Sequence, residues 1–293
     1  MGDIYGAIIG DIVGSYHEIL EINWFDTKII DTARREAILD RRTPLFTDKS
    51  SFTDDSILTC AVAKAILTGG DYEKYILEFG LKERNLGVDV YGRCKFGAGF
   101  LRWLQGQRDY KSYGNGCAMR ISPVGYAFDT LEETLTEAEK SIVCTHGGDD
   151  VIACGKAVAG SVYLARCGCD KSEIKAFAEN LIGTSLDYDL DDLRKNYRFH
   201  SKAINSVPQA IACFLAGNNF EDVLRKSISI GGDSDTIACI ACGIAGAMYE
   251  IPKEIKDSAI KYITDDYKKI LDDFNNTYVN GRESSAEENN SIR

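Results

Sequence analysis

Histidine and long apolar runs are both scarce in this 293-residue sequence. No stretch approaches the ~18 consecutive apolar residues of a membrane-spanning helix, so we expect no membrane segment. Three histidines leave few candidates for a Cys/His nucleophile. The cysteine pairs at 167–169 and 239–242 also lack the flanking histidine that would complete a zinc site.

Basic residues are outnumbered as well, with 34 Lys and Arg against 45 Asp and Glu and a net charge of −11. Since basic surfaces bind phosphate backbones, this balance disfavours nucleic acid as a general partner. It does not exclude a small phosphorylated ligand, which backbone N–H groups can bind. The sequence lacks a secretory signal and places several of its ten cysteines in apolar runs, so we expect reduced thiols and a cytoplasmic location.

The sequence also has few runs of alternating apolar and polar residues, the pattern that is typical of β-strands. Apolar residues recur instead at helical spacing, as at Tyr72, Tyr75, Ile76 and Phe79. We therefore predict an all-α fold, a single compact orthogonal bundle of about a dozen helices over residues 1–274. The stretch 21–51 is expected to be irregular, and the polar residues 275–293 are expected to form a disordered tail.

Two short clusters combine carboxylates with hydroxyls at predicted helix starts: GGDSDT at 231–236 and TDDS at 53–56. On a regular helix Asp233 and Asp235 would point about 200° apart, so both face one point only if the glycines hold them in a loop. A polar N-cap is the simpler alternative for either cluster. Adjacent buried aspartates repel, however, and a cation between them removes that cost. The two clusters together predict a centre for hard divalent cations.

These segments resemble, in order and spacing, the ADP-ribosylglycohydrolase family, which includes the dinitrogenase reductase-activating glycohydrolases. The resemblance is carried by TDDS at 53–56, GNGCAMR at 114–120, TH at 145–146 and GGDSDT at 231–236. GDIVGSYHE at 10–18 is similar to the N-terminal signature of that family. The similarity extends from about residue 2 to about residue 263, nearly the whole chain.

The resemblance implies a site for two Mg²⁺, with Mn²⁺ as an alternative. The implied metal-binding residues are Glu18, Thr53, Asp54, Asp55, Asp233, Asp235 and Thr236. The implied substrate-binding residues are Asp54, Tyr113, Gly114, Asn115, Gly116, Cys117, Ala118, Met119, Arg120 and His146, with Tyr113 stacking on adenine. Glu18, Asp54 or Asp233 would be the catalytic acid–base group, and the sequence does not decide among them. Without the family, the segment at 114–120 indicates only a turn and a helix start, and a lone histidine is more often structural.

The activity that the resemblance implies is hydrolysis of the N- or O-glycosidic bond at C1″ of an ADP-ribosyl group. The substrate would be an ADP-ribosylated protein or a small ADP-ribose conjugate, and the transition state would have oxocarbenium character. Arginine-linked, serine-linked, polymeric and O-acyl substrates stay open, with the Glu18 arrangement closer to the serine- and O-acetyl-acting branch. A monomer is expected.

Two alternative interpretations assign the protein to other functional classes. One is a non-catalytic ADP-ribose-binding or crystallin-like structural relative, against which the intact set of oxygen ligands argues. The other is a metal phosphohydrolase of unrelated fold, but aspartates in such enzymes commonly end strands, whereas here they begin predicted helices.

Overall fold

The computed structural model describes residues 2–21, 30–87 and 94–281, and in these ranges it contains helices and no named β-strand. The α-helices are α1 (Tyr5–Glu21), α2 (Thr32–Ala37), α3 (Asp54–Leu67), α4 (Tyr72–Leu86), α5 (Ala98–Leu104), α6 (Gly116–Met119), α7 (Ser122–Ala127), α8 (Leu131–Val143), α9 (Asp149–Arg166), α10 (Lys171–Ile182), α11 (Leu190–Asn196), α12 (Val207–Ala216), α13 (Phe220–Ser229), α14 (Ser234–Met248), α15 (Lys253–Ala259) and α16 (Asp265–Phe274). The predicted all-α fold is confirmed. The helices exceed the expected dozen because several, such as α6 and α7, are too short to show a periodic pattern.

Helices α1 and α14 form the centre of the fold and pack against each other in antiparallel orientation. A glycine stripe on α1 permits the contact. A Cβ on Gly6 would lie 2.3 Å from the Cys242 carbonyl oxygen, and one on Gly10 would lie 2.2 Å from the Ala238 carbonyl oxygen. The glycine spacing therefore serves close helix packing in the core.

Every residue of α14 from Ser234 to Ala247 is buried, because neighbouring helices surround it. Helices α9, α12 and α13 pack around α14 in addition to α1, while α3 packs against α1, α4, α7 and α16. The N-terminal ends of α3 and α14 and the C-terminal half of α1 consequently meet at one place. No helix in the described ranges is both long and apolar enough to cross a membrane.

The structure departs from the expected boundaries at two places. Helix α2 lies within the stretch expected to be irregular, and its Arg35 is fully buried. Residues 22–29 of that stretch lie outside the described residues.

At the C-terminus, the boundary expected after residue 274 is wrong. A π-helix continues over Asn275–Asn280 because Asn275 is buried against the start of the chain. Its side chain accepts a 3.1 Å hydrogen bond from the Ile4 amide and donates one of 2.8 Å to Asp3. Residues 282–293 of the expected tail lie outside the described residues.

Candidate active site

A cavity of about 850 Å³ opens where α1, α3 and α14 meet. Most of the residues predicted to bind metal or substrate line it. They are Glu18, Thr53, Asp54, Asp55, Tyr113, Gly114, Asn115, Gly116, Met119, Arg120, His146, Asp233, Asp235 and Thr236. Segments far apart in the sequence are thus gathered around one space.

Two groups of three carboxylates lie beside this cavity. Asp11, Asp55 and Asp235 form one group, and Glu18, Asp233 and Asp235 form the other. In each group one carboxylate oxygen per residue lies within 4.8 Å of the others. Because Asp235 belongs to both, the groups adjoin, which is the arrangement that two neighbouring cations would need.

Paired glycines set the position of Asp233 and Asp235. Gly231 and Gly232 both have φ of +74°, a conformation that favours glycine. Asp233 then occupies the N-cap position of α14, but its side chain makes no capping hydrogen bond. It accepts a 2.7 Å hydrogen bond from Asn115 Nδ2 instead. The polar-cap alternative therefore does not explain Asp233.

Thr53 does cap its helix, because its hydroxyl oxygen accepts from the Asp55 amide at 3.3 Å. Oδ2 of Asp55 accepts from the Thr236 hydroxyl at 3.4 Å, which connects α3 to α14. Oδ1 of Asp55 is buried and has no hydrogen-bond partner in the described structure. A buried carboxylate oxygen without a donor is costly, and a cation would satisfy it.

The sequence reasoning missed Asp11, which is completely buried. Asp11 accepts hydrogen bonds from the Thr53 amide at 2.9 Å, the Thr53 hydroxyl at 2.7 Å and the Ser56 amide at 3.1 Å. It thereby fixes the start of α3 against α1. One signal was available, since Asp11 and Glu18 are seven positions apart and so share a face of α1.

The crowding of carboxylates shifts their protonation. Burial, followed by the charges of Asp11 and Glu18, raises the pKa of Asp54 to about 8. Burial and Glu18 raise the pKa of Asp233 to about 7. The pKa values of Asp55 and Asp235 are raised by burial first and then by neighbouring aspartates. Without a cation, the site therefore resists holding all of its negative charges.

The glycine-rich wall at 114–116 is partly engaged by its own hydrogen bonds. The Gly114 amide donates to Ser112 Oγ at 3.0 Å, and the Asn115 amide donates to the Ser201 carbonyl oxygen at 2.8 Å. These two amides are therefore engaged within the protein.

Cys117 and Ala118 do not line the cavity, although they were predicted to bind substrate. Both have 0% exposure because the short helix α6 turns them into the core. The Cys117 thiol faces the Gly114 and Val151 carbonyl oxygens at 3.6 and 3.7 Å. Both residues therefore pack in the core behind the cavity lining, and their part in substrate binding stays a prediction.

A short chain of contacts connects Arg120 through Thr145 to Nδ1 of His146. Arg120 Nη2 donates to Thr145 Oγ1 at 2.7 Å, and Thr145 Oγ1 lies 2.7 Å from His146 Nδ1. Because a hydroxyl oxygen accepts through two lone pairs, Thr145 can donate its proton to Nδ1 or accept a second hydrogen bond from Nδ1–H, and the first arrangement leaves the histidine proton on Nε2. Burial, followed by the charges of Arg120 and Lys111, keeps the pKa of His146 well below its ordinary value. The neutral imidazole therefore has its Nε2 at the Gly116 side of the cavity.

Aromatic residues also line the cavity. They include Tyr113, which is 58% exposed, Phe199, which is 41% exposed, and Phe52. The segment 94–100, which contains Lys95, lines the cavity as well. The sequence reasoning did not identify this segment.

Comparisons with known proteins agree with this geometry. A model of the ADP-ribosylglycohydrolase family matches residues 1–283. The ADP-ribosylarginine hydrolase Tri1 of Pseudomonas putida (strain GB-1) is 26% identical over 272 residues, covering 85% of this chain and 70% of that protein. The ADP-ribosylhydrolase ARH3 of Homo sapiens is 26% identical over 332 residues, covering 89% of each chain. A solved structure described as an ADP-ribosylglycohydrolase-related protein complex has a TM-score of 0.64 at 20% identity, covers 92% of this chain and 94% of that one, and shows the shared fold.

Proposed function

Because the chain belongs to the ADP-ribosylglycohydrolase family, we propose that it hydrolyses the glycosidic bond at C1″ of ADP-ribosyl groups and releases ADP-ribose. The substrate is an ADP-ribosylated protein side chain or a small ADP-ribose conjugate. The observation that carries the proposal is the pair of carboxylate groups sharing Asp235 at the side of one open cavity.

The residues present suit two divalent cations, Mg²⁺ or Mn²⁺. The adjoining carboxylate groups offer hard oxygen ligands, and the unpartnered Oδ1 of Asp55 supports a cation beside it. Glu18, Thr53, Asp54, Asp55, Asp233, Asp235 and Thr236 are the residues that would hold them. Bound cations would orient the ribose hydroxyls and acidify a water molecule.

The wall at 113–116 suits the ADP part of the substrate. Gly116 leaves room beside His146, since a Cβ there would lie 3.4 Å from His146 Nε2. The neutral His146 donates from Nε2 to a ribose or phosphate oxygen, and the exposed ring of Tyr113 stacks on adenine. This placement directs the far ribose toward Asp233, which Asn115 holds.

Glu18 is the residue that we assign to proton transfer. It is half-buried at the cavity and belongs to only one carboxylate group, whereas Asp235 is shared by both. Asp54 belongs to neither group of three, and besides contacting a cation its carboxylate would accept a hydrogen bond from a ribose hydroxyl. Glu18 then transfers the proton between the water and the leaving group as the bond at C1″ breaks.

A panel of ADP-ribosylated substrates tests the activity. The purified protein with Mg²⁺ should release ADP-ribose, and EDTA should abolish the release until excess Mg²⁺ is added. Full turnover in a verified metal-free preparation would contradict the proposed role of the cations in the reaction. Binding of ADP-ribose by calorimetry with no turnover of arginine-linked, serine-linked, polymeric or O-acyl substrates would instead support the non-catalytic relative.

A further inference from the structure

Arg35 is a completely buried arginine on α2 that the proposed reaction does not use. Its guanidinium donates hydrogen bonds to two main-chain carbonyl oxygens at the end of α11. Nη1 lies 2.9 Å from the Arg194 oxygen and 3.0 Å from the Tyr197 oxygen, and Nη2 lies 3.0 Å from the Tyr197 oxygen. Burying a charged side chain is costly unless it is hydrogen-bonded. These bonds therefore indicate that the group holds separate segments of the chain together.

The guanidinium also covers the first residue of the glycine turn, Gly231–Gly232, which precedes Asp233. A Cβ on Gly231 would lie 2.2 Å from Nη2 of Arg35, 2.3 Å from Cζ and 2.4 Å from Nε. Because three atoms of the planar group lie at nearly equal distances from one point, the flat face of the guanidinium packs on this glycine. The φ of +74° and the contact with Arg35 therefore both require glycine at this position.

The second residue of the glycine turn packs against the ring of Tyr197, which is 7% exposed. A Cβ on Gly232 would lie 2.6 Å from Cε1 and 3.0 Å from Cδ1 of that ring. The Tyr197 hydroxyl donates to the Asn205 carbonyl oxygen at 2.8 Å, which fixes the ring at its other end. Since Arg35 binds the carbonyl oxygen of Tyr197, the two side chains contact the glycine turn as one unit.

The two segments that Arg35 contacts meet again at Asn115. Four residues after Tyr197, the Ser201 carbonyl oxygen accepts from the Asn115 amide at 2.8 Å. Directly after the glycine turn, Asp233 accepts from Asn115 Nδ2 at 2.7 Å. Arg35 therefore contacts the beginnings of the two segments whose relative position sets the hydrogen bond between Asn115 and Asp233.

Helix α2 is itself fixed by a second buried arginine. Arg225 on α13 donates from Nη1 to the carbonyl oxygens of Ile38 at 2.8 Å and Asp40 at 3.1 Å, in the turn after α2. Helix α13 ends two residues before the glycine turn. The support from which Arg35 extends is thus attached to the same part of the fold as the turn that it contacts.

We propose that Arg35 and Tyr197 are positioning residues for the carboxylates of the site, because they fix the glycine turn that precedes Asp233 and Asp235. This inference rests on the proposed function, since it takes these two aspartates as cation ligands. Arg35 and Tyr197 do not line the cavity, so their effect passes through the main chain of the turn. Replacing residues that orient metal ligands typically weakens metal binding about 10- to 100-fold.

Mg²⁺ binding measured by calorimetry in the absence of substrate tests the inference. Arg35→Lys retains the charge, but an ammonium lacks the planar group that covers the glycine and binds both carbonyl oxygens. Its dissociation constant for Mg²⁺ should therefore rise about 10- to 100-fold. Tyr197→Leu should also weaken Mg²⁺ binding, because it removes the ring from Gly232. Tyr197→Phe retains the ring and loses only the bond to Asn205, so its dissociation constant should stay near the wild-type value.

Arg166→Lys is the matched control for a general loss of stability. Arg166 is the last residue of α9 and also donates to two main-chain carbonyl oxygens, those of Gly125 and Phe128. It does not line the cavity. Arg166→Lys should therefore lower the melting temperature without changing the dissociation constant for Mg²⁺.

The possible results separate this inference from the proposed function. A folded Arg35→Lys with the wild-type dissociation constant for Mg²⁺ overturns the inference, and so does an equal weakening of binding in Arg166→Lys. If Arg35→Lys does not fold, equal Mg²⁺ affinities in Tyr197→Leu and Tyr197→Phe overturn it. These results leave the hydrolase in place. A wild type that binds no divalent cation instead removes the proposed role of the cations, and this inference with it.

Discussion

Asp55 and Glu18 show how neighbouring carboxylates of one site differ in their surroundings. Asp55 is 2% exposed on the first turn of α3, with Oδ1 lacking a hydrogen-bond partner in the described structure. Glu18 is half-buried near the end of α1. Burial without a donor suits a cation ligand, whereas partial exposure suits a group that exchanges protons with water.

Asparagine and glutamine substitutions separate these roles. Asp55→Asn should weaken metal binding, because an amide is a poorer ligand than a carboxylate, and raising Mg²⁺ should restore part of the turnover. Glu18→Gln should lose ~10²–10⁴ in kcat, and added metal should not restore it. Turnover measured across a Mg²⁺ titration gives the comparison. Equal rescue of both variants would show that Glu18 is chiefly a metal ligand.

Thr145 contacts Nδ1 of His146 through its hydroxyl, and we expect this hydroxyl to set the tautomer of the neutral imidazole. Thr145→Val keeps the shape but removes that hydroxyl, so Nδ1 loses its donor and Arg120 loses an acceptor. We expect a stability loss of about 1–3 kcal/mol and a mixture of histidine tautomers. Nitrogen-15 NMR of the histidine rings, together with a denaturant melt, measures both effects.

Thr145→Ser is the matched control, because it retains the hydroxyl. It should preserve the Nε2–H tautomer and most of the stability. A single Nε2–H tautomer in Thr145→Val as well would show that Thr145 does not determine the state of His146.

At the level of residues, the sequence predicts the parts of the site that are contiguous. Asp54 with Asp55, and Asp233 with Asp235, stand out because carboxylates at helix starts need an explanation. Asp11 does not stand out, since its role depends on contacts with Thr53 and Ser56 that lie 42 and 45 positions away. Pairings of that kind exist only once the helices have packed.

Among the elements, α1 and α14 hold the site together because their backbones touch. Gly10→Ala should be severely destabilising, since the added Cβ would lie 2.2 Å from the Ala238 carbonyl oxygen. Overpacking of this kind costs about 1–3 kcal/mol or more. Separating the two helices should also weaken Mg²⁺ binding, because Asp11 and Asp235 are on opposite sides of the contact. Thermal melts and metal titrations by calorimetry check the two effects.

Gly97→Ala is the stability control for this substitution. No atom lies within 4 Å of its added Cβ, and its φ of −64° suits alanine. Its melting temperature should stay near that of the wild type. A comparable loss of stability in both variants would contradict close packing as the cause.

Element boundaries followed from the sequence where a helix is long and amphipathic. Helix α4 has the apolar spacing that predicted it. Short elements do not follow in this way, such as the 3₁₀ turn Ile260–Tyr262 that separates α15 from α16. The π-helix after α16 was unpredictable for another reason, since it depends on the contact of Asn275 with Ile4 across the fold.

For the whole molecule, part of the negative charge lies where it is least tolerated, in a buried cluster that includes Asp11, Asp55, Asp233 and Asp235. Burial and neighbouring carboxylates raise the pKa of Asp54 to about 8 and that of Asp233 to about 7 in the metal-free protein. In the unfolded chain aspartate titrates near ~3.9. Between about pH 4 and pH 8 the folded state therefore binds more protons than the unfolded state.

The folding stability of the metal-free protein should therefore decrease as the pH rises. Stability that is present at low pH should be lost as the pH rises through the folded pKa values, by about 1.4 kcal/mol per pH unit for each differentially bound proton. The melting temperature of the metal-free protein should thus fall between about pH 5 and pH 8.

Mg²⁺ should reverse this fall in melting temperature, because cations replace the protons. At about 100 times its dissociation constant, Mg²⁺ would contribute about 2.7 kcal/mol, which raises the melting temperature by roughly 5 °C for a chain of this size. Scanning calorimetry across this pH range, in EDTA, in Mg²⁺ and in NaCl of equal ionic strength, makes the test. Equal protection by NaCl would attribute the effect to general screening, and a metal-free melting temperature that does not fall with pH would contradict the charge crowding on which the metal site is argued.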